Sequence, residues 1–104
     1  RVLSGTDYRG QFPGSTRLVS IGGTTVTYQA VKAVRESGGC AISVSDAEAA
    51  EARRALARAG VYAEASSATV LAAAYHLREQ GWLDAGDRVV LIVTSHGFKG
   101  PAVR

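Results

Sequence analysis

The chain has 104 residues, 46% of them hydrophobic and 20% charged, which suits one globular domain and excludes a disordered acidic tail, a collagen-like repeat or a two-domain enzyme. At this size folding buries roughly two-thirds of the surface that the unfolded chain exposes, so a large enclosed cofactor pocket needs help from another chain or segment. The formal charge of +3 is a mild excess that selects neither nucleic acid nor any other anionic partner by itself.

The arginines are dispersed along helical stretches, with no basic patch interleaved with aromatics, so a nucleic-acid partner is not expected. One cysteine, Cys40, cannot form an internal disulfide, and the default compartment is the cytoplasm. The longest clean apolar run, Val89-Val90-Leu91-Ile92-Val93, has strand length and falls far short of the ~20 residues of a membrane span, so no membrane partner is expected. A chain that begins Arg1-Val2-Leu3 and contains no methionine reads as processed, trimmed or part of a larger parent protein.

Residues 1–15 carry glycine and proline with no helical or strand period and read as a loop or linker. Residues 16–104 read as an α/β portion of a larger domain. Within it, Arg17-Leu18-Val19-Ser20-Ile21 is predicted as a short strand, with a turn at Gly22-Gly23-Thr24. Val26, Ala30, Ala33 and Val34 then recur at helical spacing, with Gln29, Lys32 and Arg35 elsewhere, until Ser37-Gly38-Gly39 ends the helix. Ala41-Ile42-Ser43-Val44 reads as a second strand. Ser45-Asp46-Ala47-Glu48 is a capping box, predicting a helix to Ala59 that stops at Gly60, with acids near its positive end and arginines toward its negative end.

Ser66-Ser67 offers two candidate N-caps for a helix to about Gln80, terminated by Gly81. That helix has almost no polar face before His76 and Arg78, and a helix apolar all round is normally buried on all sides. Further protein is therefore expected to cover it. Arg88 then leads into a β-branched strand, Val89 to Val93, of the kind that sits centrally in a helix-covered parallel sheet. The fold class expected is an open, mostly parallel α/β sheet with flanking helices.

The last strand runs into Thr94-Ser95-His96-Gly97, and in open α/β sheets ligands bind at the C-terminal ends of strands. Neighbouring residues on a strand point to opposite faces, and no Gly-x-Ser-x-Gly elbow is present, so the cluster does not read as a serine hydrolase. A hydroxyl here suits holding a ligand by hydrogen bonding, while an ordinary strand-end turn accounts for the same residues. Gly22-Gly23 would let backbone approach a flat ligand closely, though any turn uses the same property. Glu64 reads equally as a helix-entry residue favoured by the dipole or as a pocket carboxylate. His76 fits a structural histidine; with no paired His or Cys spacing, no metal site is expected. Lys32 and Lys99 are the only lysines, and neither lies in a context that would protect a free amine for covalent chemistry.

Several of these segments, in order from Thr16 to Pro101, resemble the C-terminal part of threonine synthase, a pyridoxal-phosphate enzyme of the fold that includes the tryptophan synthase β chain. Val93-Thr94-Ser95-His96-Gly97-Phe98-Lys99-Gly100-Pro101 is similar to that family's closing Leu-Thr-Gly-His-Gly-Leu-Lys-Asp-Pro. Arg35-Glu36-Ser37-Gly38-Gly39, Val44-Ser45-Asp46 with Glu48, and Glu64-Ala65-Ser66-Ser67-Ala68 support it. The resemblance implies pyridoxal 5'-phosphate as cofactor, with Thr94 hydrogen-bonding its pyridine nitrogen, Ser95 beside it, Gly22-Gly23 passing close by and Glu64 approaching the pocket.

It also implies a parent reaction converting O-phosphohomoserine and water to threonine and phosphate, with a phosphorylated amino acid as substrate. The chain departs from the family pattern at Ser95, Gly100 and Ala65, which stand in place of glycine, aspartate and proline. It has no counterpart of the family's Schiff-base lysine or Gly-rich phosphate loop, so the chain alone is expected to be inactive and to need an N-terminal portion or complementing chain. An assembly of several copies is compatible with this. The alternatives are another amino-acid lyase, dehydratase or synthase of the same fold, and a non-catalytic interaction subunit or degenerate homologue.

Overall fold

The computed structural model describes residues 9–99; the first part of the loop expected over 1–15, and Gly100-Pro101 of the closing motif, lie outside them. Three helices dominate: α1 (Tyr28–Glu36), α2 (Asp46–Arg58) and α3 (Ala65–Glu79), with single 3-10 turns at Val19–Ile21 and Gly97–Lys99.

Helix α1 starts where Thr27 turns extended and its hydroxyl oxygen accepts from the Ala30 amide at 3.2 Å. It ends through Gly38 at φ +68°, a left-handed position suited to glycine. Its buried residue is Val31 rather than Ala30 or Ala33, which are exposed. Helix α2 opens on the expected capping box: Ser45 Oγ accepts from the Glu48 amide at 3.2 Å, and Glu48 Oε2 accepts from the Ser45 amide at 2.7 Å. Ala59 caps its other end, and Gly60 follows at φ +93°.

Helices α2 and α3 pack on each other through alanine. Ala52, Ala68 and Ala72 form one buried cluster, flanked by Val44, Leu56 and Leu71. A second cluster joins Leu18 to Ala49 and Ala65. Methyl side chains let the two backbones approach closely, but each contributes little buried apolar area, so the pair draws part of its stability from polar ties. One such tie is the 2.6 Å contact of His76 Nε2 on α3 with Glu48 Oε1 on α2, which gives His76 the structural role expected for it. The chain before α1 is in turn tied to the first turn of α2: the Arg17 amide donates to Asp46 Oδ2 at 2.9 Å, and the Thr16 hydroxyl donates to Asp46 Oδ1.

None of the three expected strands forms among the described residues. Residues 19–21 are a 3-10 turn because Leu18 is drawn into the α2–α3 core and Ser20 turns toward α3, contacts that override local β preference. Residues 41–44 and 89–93 are irregular backbone. A strand is stabilised by cross-strand neighbours, and 89–93 has none here; Val90 and Ile92 are 87% and 69% exposed. The one β element among the described residues is an isolated antiparallel bridge between Ala63 and His96. Helix α3 buries Ala65, Ala68 and Ala72 while Tyr75 stays exposed, so its apolar surface is only partly covered. No helix among the described residues is long and apolar enough to cross a membrane.

The Ser45 amide, the Ser45 hydroxyl and His76 together hold the Glu48 carboxyl below the usual carboxylate range. A carboxyl whose folded value is depressed adds stability above its unfolded value and loses it as pH falls through the folded one. Urea unfolding midpoints should therefore drop on acidification below about pH 4.3, the ordinary glutamate value. Glu48→Gln should be less stable near neutrality and should flatten that acid dependence; an unchanged acid limb would show that Glu48 does not couple the two helices.

Candidate functional site

Three of the residues expected to touch a ligand, Glu64, Thr94 and Ser95, meet at the N-terminus of α3. Glu64 is the N-cap residue but makes no capping bond with its side chain; its amide donates to the Ser95 carbonyl at 3.0 Å, and the Gly97 amide donates to the Tyr62 carbonyl at 2.8 Å. This short antiparallel pairing lays Thr94 to Gly97 alongside Tyr62 to Glu64.

Helix α3 begins at Ala65, so Ser66 and Ser67 are not the N-caps expected of them. They sit buried in the first turn with their hydroxyls turned to neighbouring segments. Ser67 Oγ accepts from the Ser95 amide at 3.0 Å and lies 3.0 Å from Thr94 Oγ1. Ser66 Oγ lies 2.6 Å from Ser20 Oγ, which is also 3.0 Å from Glu64 Oε1. The Glu64 carboxylate thus ties the turn before Gly22-Gly23 to the start of α3. Gly22 and Gly23 themselves are exposed, two and three residues beyond Ser20, and do not line the pocket.

Thr94 and Ser95 line a shallow, open pocket of about 390 Å³ whose other walls are Gly60, Val61, Tyr62, Val93 and His96. Its donor chemistry is neutral. With the Ser95 amide filling one lone pair of Ser67 Oγ, the Ser67 hydroxyl is free to donate to Thr94 Oγ1, leaving the Thr94 proton for an acceptor in the pocket; rotated the other way, Thr94 accepts from a ligand N–H. A hydroxyl pair of this kind suits the single nitrogen of an aromatic heterocycle and supplies no fixed positive charge for a phosphate.

The His96 ring lies against Tyr62 and Phe98, with centroids 5.4 and 4.9 Å away, and its Nδ1 accepts from the Phe98 amide at 3.2 Å. The ring is held as part of an aromatic cluster, with that nitrogen occupied. Neither lysine lines the pocket: Lys32 pairs with Glu36 on α1 at 3.6 Å, and Lys99 lies in the terminal 3-10 turn.

Two contributors escaped the sequence reading. Ser67 looked like a cap. Arg53 looked like one of several arginines answering the helix dipole, yet it is only 9% exposed and points at Tyr62, Ala63 and Gly97. The signal available in the sequence was position: Arg53 follows Ala49 and Ala52 on the alanine-rich face that α2 buries.

The family described as pyridoxal-phosphate dependent enzyme matches residues 4–95. This chain belongs to that family. Family membership carries an α/β fold, although the described residues contain no sheet. The chain is 39% identical over 84 residues to the threonine synthase of Methanocaldococcus jannaschii, covering 80% of this chain and 21% of that protein. It is 38% identical to the threonine synthase of Methanosarcina acetivorans over the same shares. The Mycobacterium tuberculosis threonine synthase is 34% identical over 80% of this chain and 23% of its own length. The chain therefore spans about a fifth of the length of these relatives. No solved structure gives a significant match.

Ser67 Oγ is the acceptor of the Ser95 amide, so truncating its hydroxyl removes that bond. Ser67→Ala should destabilise the chain by about 1 kcal/mol, the net worth of one hydrogen bond, in denaturant unfolding. Amide exchange at Ser95 should quicken at the same time, and a Ser95 amide that stays as protected as before would show that this bond does not hold the turn.

Proposed function

We propose that the pocket at Thr94 is the pyridine-nitrogen side of a pyridoxal-phosphate site, in a parent protein with threonine synthase-like lyase activity. The observation that carries this reading is the Ser67–Thr94 hydroxyl pair, 3.0 Å apart, at the edge of an open pocket in a chain of this family. When bound, the cofactor supplies an electron-accepting ring that stabilises carbanionic charge on an amino-acid substrate. Thr94 would hold the ring nitrogen through a neutral hydroxyl, which favours a less protonated ring than a carboxylate would. Ser67 would orient that hydroxyl, and Glu64, anchored to Ser20, would stand at the approach to the pocket.

The parent reaction in this reading is O-phosphohomoserine plus water to threonine plus phosphate. The lysine that anchors the cofactor and the loop that holds its phosphate would come from protein beyond residues 9–99. That same protein would cover the exposed apolar run at Val89–Val93 and give it strand neighbours. A second reading, another amino-acid lyase of the same fold, is favoured by Ser95, whose side chain stands beside Thr94 where the family motif has glycine.

Titrating pyridoxal phosphate into the parent protein and its Thr94→Val variant tests the assignment. Loss of one hydrogen bond should weaken binding about tenfold, equivalent to ~1.4 kcal/mol. The absorption band of the bound cofactor should also shift, since its nitrogen loses its partner. Equal affinity with an unchanged band would remove Thr94 from the site.

A further inference from the structure

We infer that Arg53 is the positioning residue of this pocket, a buried clamp that fixes the Tyr62 wall against the turn bearing Thr94. It stands on α2, outside the pocket, and its guanidinium reaches three acceptors on two different segments. Nε donates to the Ala63 carbonyl at 3.1 Å, while Nη2 donates to the Tyr62 hydroxyl at 3.1 Å and to the Gly97 carbonyl at 3.4 Å. The guanidinium carbon also lies 5.3 Å from the centre of the Tyr62 ring, so the same group packs on the ring whose hydroxyl it binds.

The acceptors identify the role. All three are neutral, two of them backbone carbonyls, so the Arg53 charge is not placed there to balance a carboxylate. Charge-assisted bonds to carbonyls are stronger than neutral ones and fix direction, and a planar fork reaches several acceptors at once where an ammonium cannot. Burying a cation is costly unless its donors are satisfied, so this geometry persists only while both segments stay in place.

Gly97 closes the arrangement from the other side. A Cβ at Gly97 would lie 2.3 Å from Tyr62 Cε1, so the Tyr62 ring occupies the space that any side chain there would need. Arg53 holds the hydroxyl end of that ring while the Gly97 amide holds the Tyr62 carbonyl. Tyr62, Thr94, Ser95 and His96 all line the pocket, and the Tyr62 and His96 rings meet edge to face with centroids 5.4 Å apart. Arg53 thereby fixes the Tyr62 side of the pocket against the turn that follows Thr94 and Ser95.

The consequence for cofactor binding rests on the function proposed above, whereas the clamp itself does not, and the test separates them. In the parent protein, hydrogen–deuterium exchange is followed in segments 61–64 and 94–98 and in the interiors of α2 and α3, for Arg53→Met, Arg53→Lys and Thr94→Val, alongside pyridoxal-phosphate titration. Arg53→Met should quicken exchange in both segments about tenfold, leave the helix interiors unchanged and weaken cofactor binding, with Arg53→Lys recovering part of each effect. Unchanged exchange in the two segments, or equal acceleration through α2 and α3, would overturn the clamp. Selective loosening by Arg53→Met with full cofactor affinity in both Arg53→Met and Thr94→Val would sustain the clamp and overturn the cofactor reading.

Discussion

The close approach of α2 and α3 sets the geometry of everything else. Ala49, Ala52, Ala65, Ala68 and Ala72 bring the two helices together through methyl groups, and side chains of that size neither hold the helices apart nor bury much surface. Two results follow from the same constraint. The first turn of α3 is carried close enough to the terminal turn for Ser67 to bond both Thr94 and Ser95, and Arg53 on α2 is carried close enough to reach the other side of that turn. Larger residues in the seam would separate these groups even if every hydrogen-bonding side chain were kept.

Polar contacts then convert a thin core into a defined site. Glu48 joins a capping box to His76, Asp46 gathers Thr16 and Arg17, and Ser20 links Glu64 to Ser66. Each connects segments distant in sequence: the Ser20 contacts hold the loop before α1 at the start of α3, whereas Glu48 ties the start of α2 to the last turn of α3. The pocket at Thr94 offers hydroxyls and aromatic walls without a lysine of its own. Such a surface can orient a heterocycle but leaves covalent attachment and phosphate binding to other residues, which agrees with a chain spanning about a fifth of its threonine synthase relatives.

Local signals carried the helices well. The capping box at Ser45 and Glu48 and the glycines at Gly38, Gly60 and Gly81 act within a few residues, and the helices they bound lie close to where the sequence places them. The strands were another matter, because a strand depends on partners: Val89–Val93 has the composition of a central strand but no neighbour among the described residues, and Leu18 follows the core instead of a ladder. For the site, Thr94, Ser95 and Glu64 were legible through the closing motif and the segment before α3, and the structure brings them together. Gly22 and Gly23 come near only through Ser20. Ser67 and Arg53 were not legible as site residues, since a serine near a helix start reads as a cap and an arginine on a helix reads as solvated until the tertiary contacts are seen.

Whether Thr94 faces the nitrogen of a bound pyridine ring is decided by a crystal structure of the parent protein with pyridoxal phosphate. Thr94 Oγ1 should lie within hydrogen-bond reach of the ring nitrogen, roughly 2.7–3.2 Å, with Ser67 still bonded to the Ser95 amide behind it. A ring bound elsewhere, or bound with its nitrogen facing a charged side chain while Thr94 contacts only solvent, would contradict it.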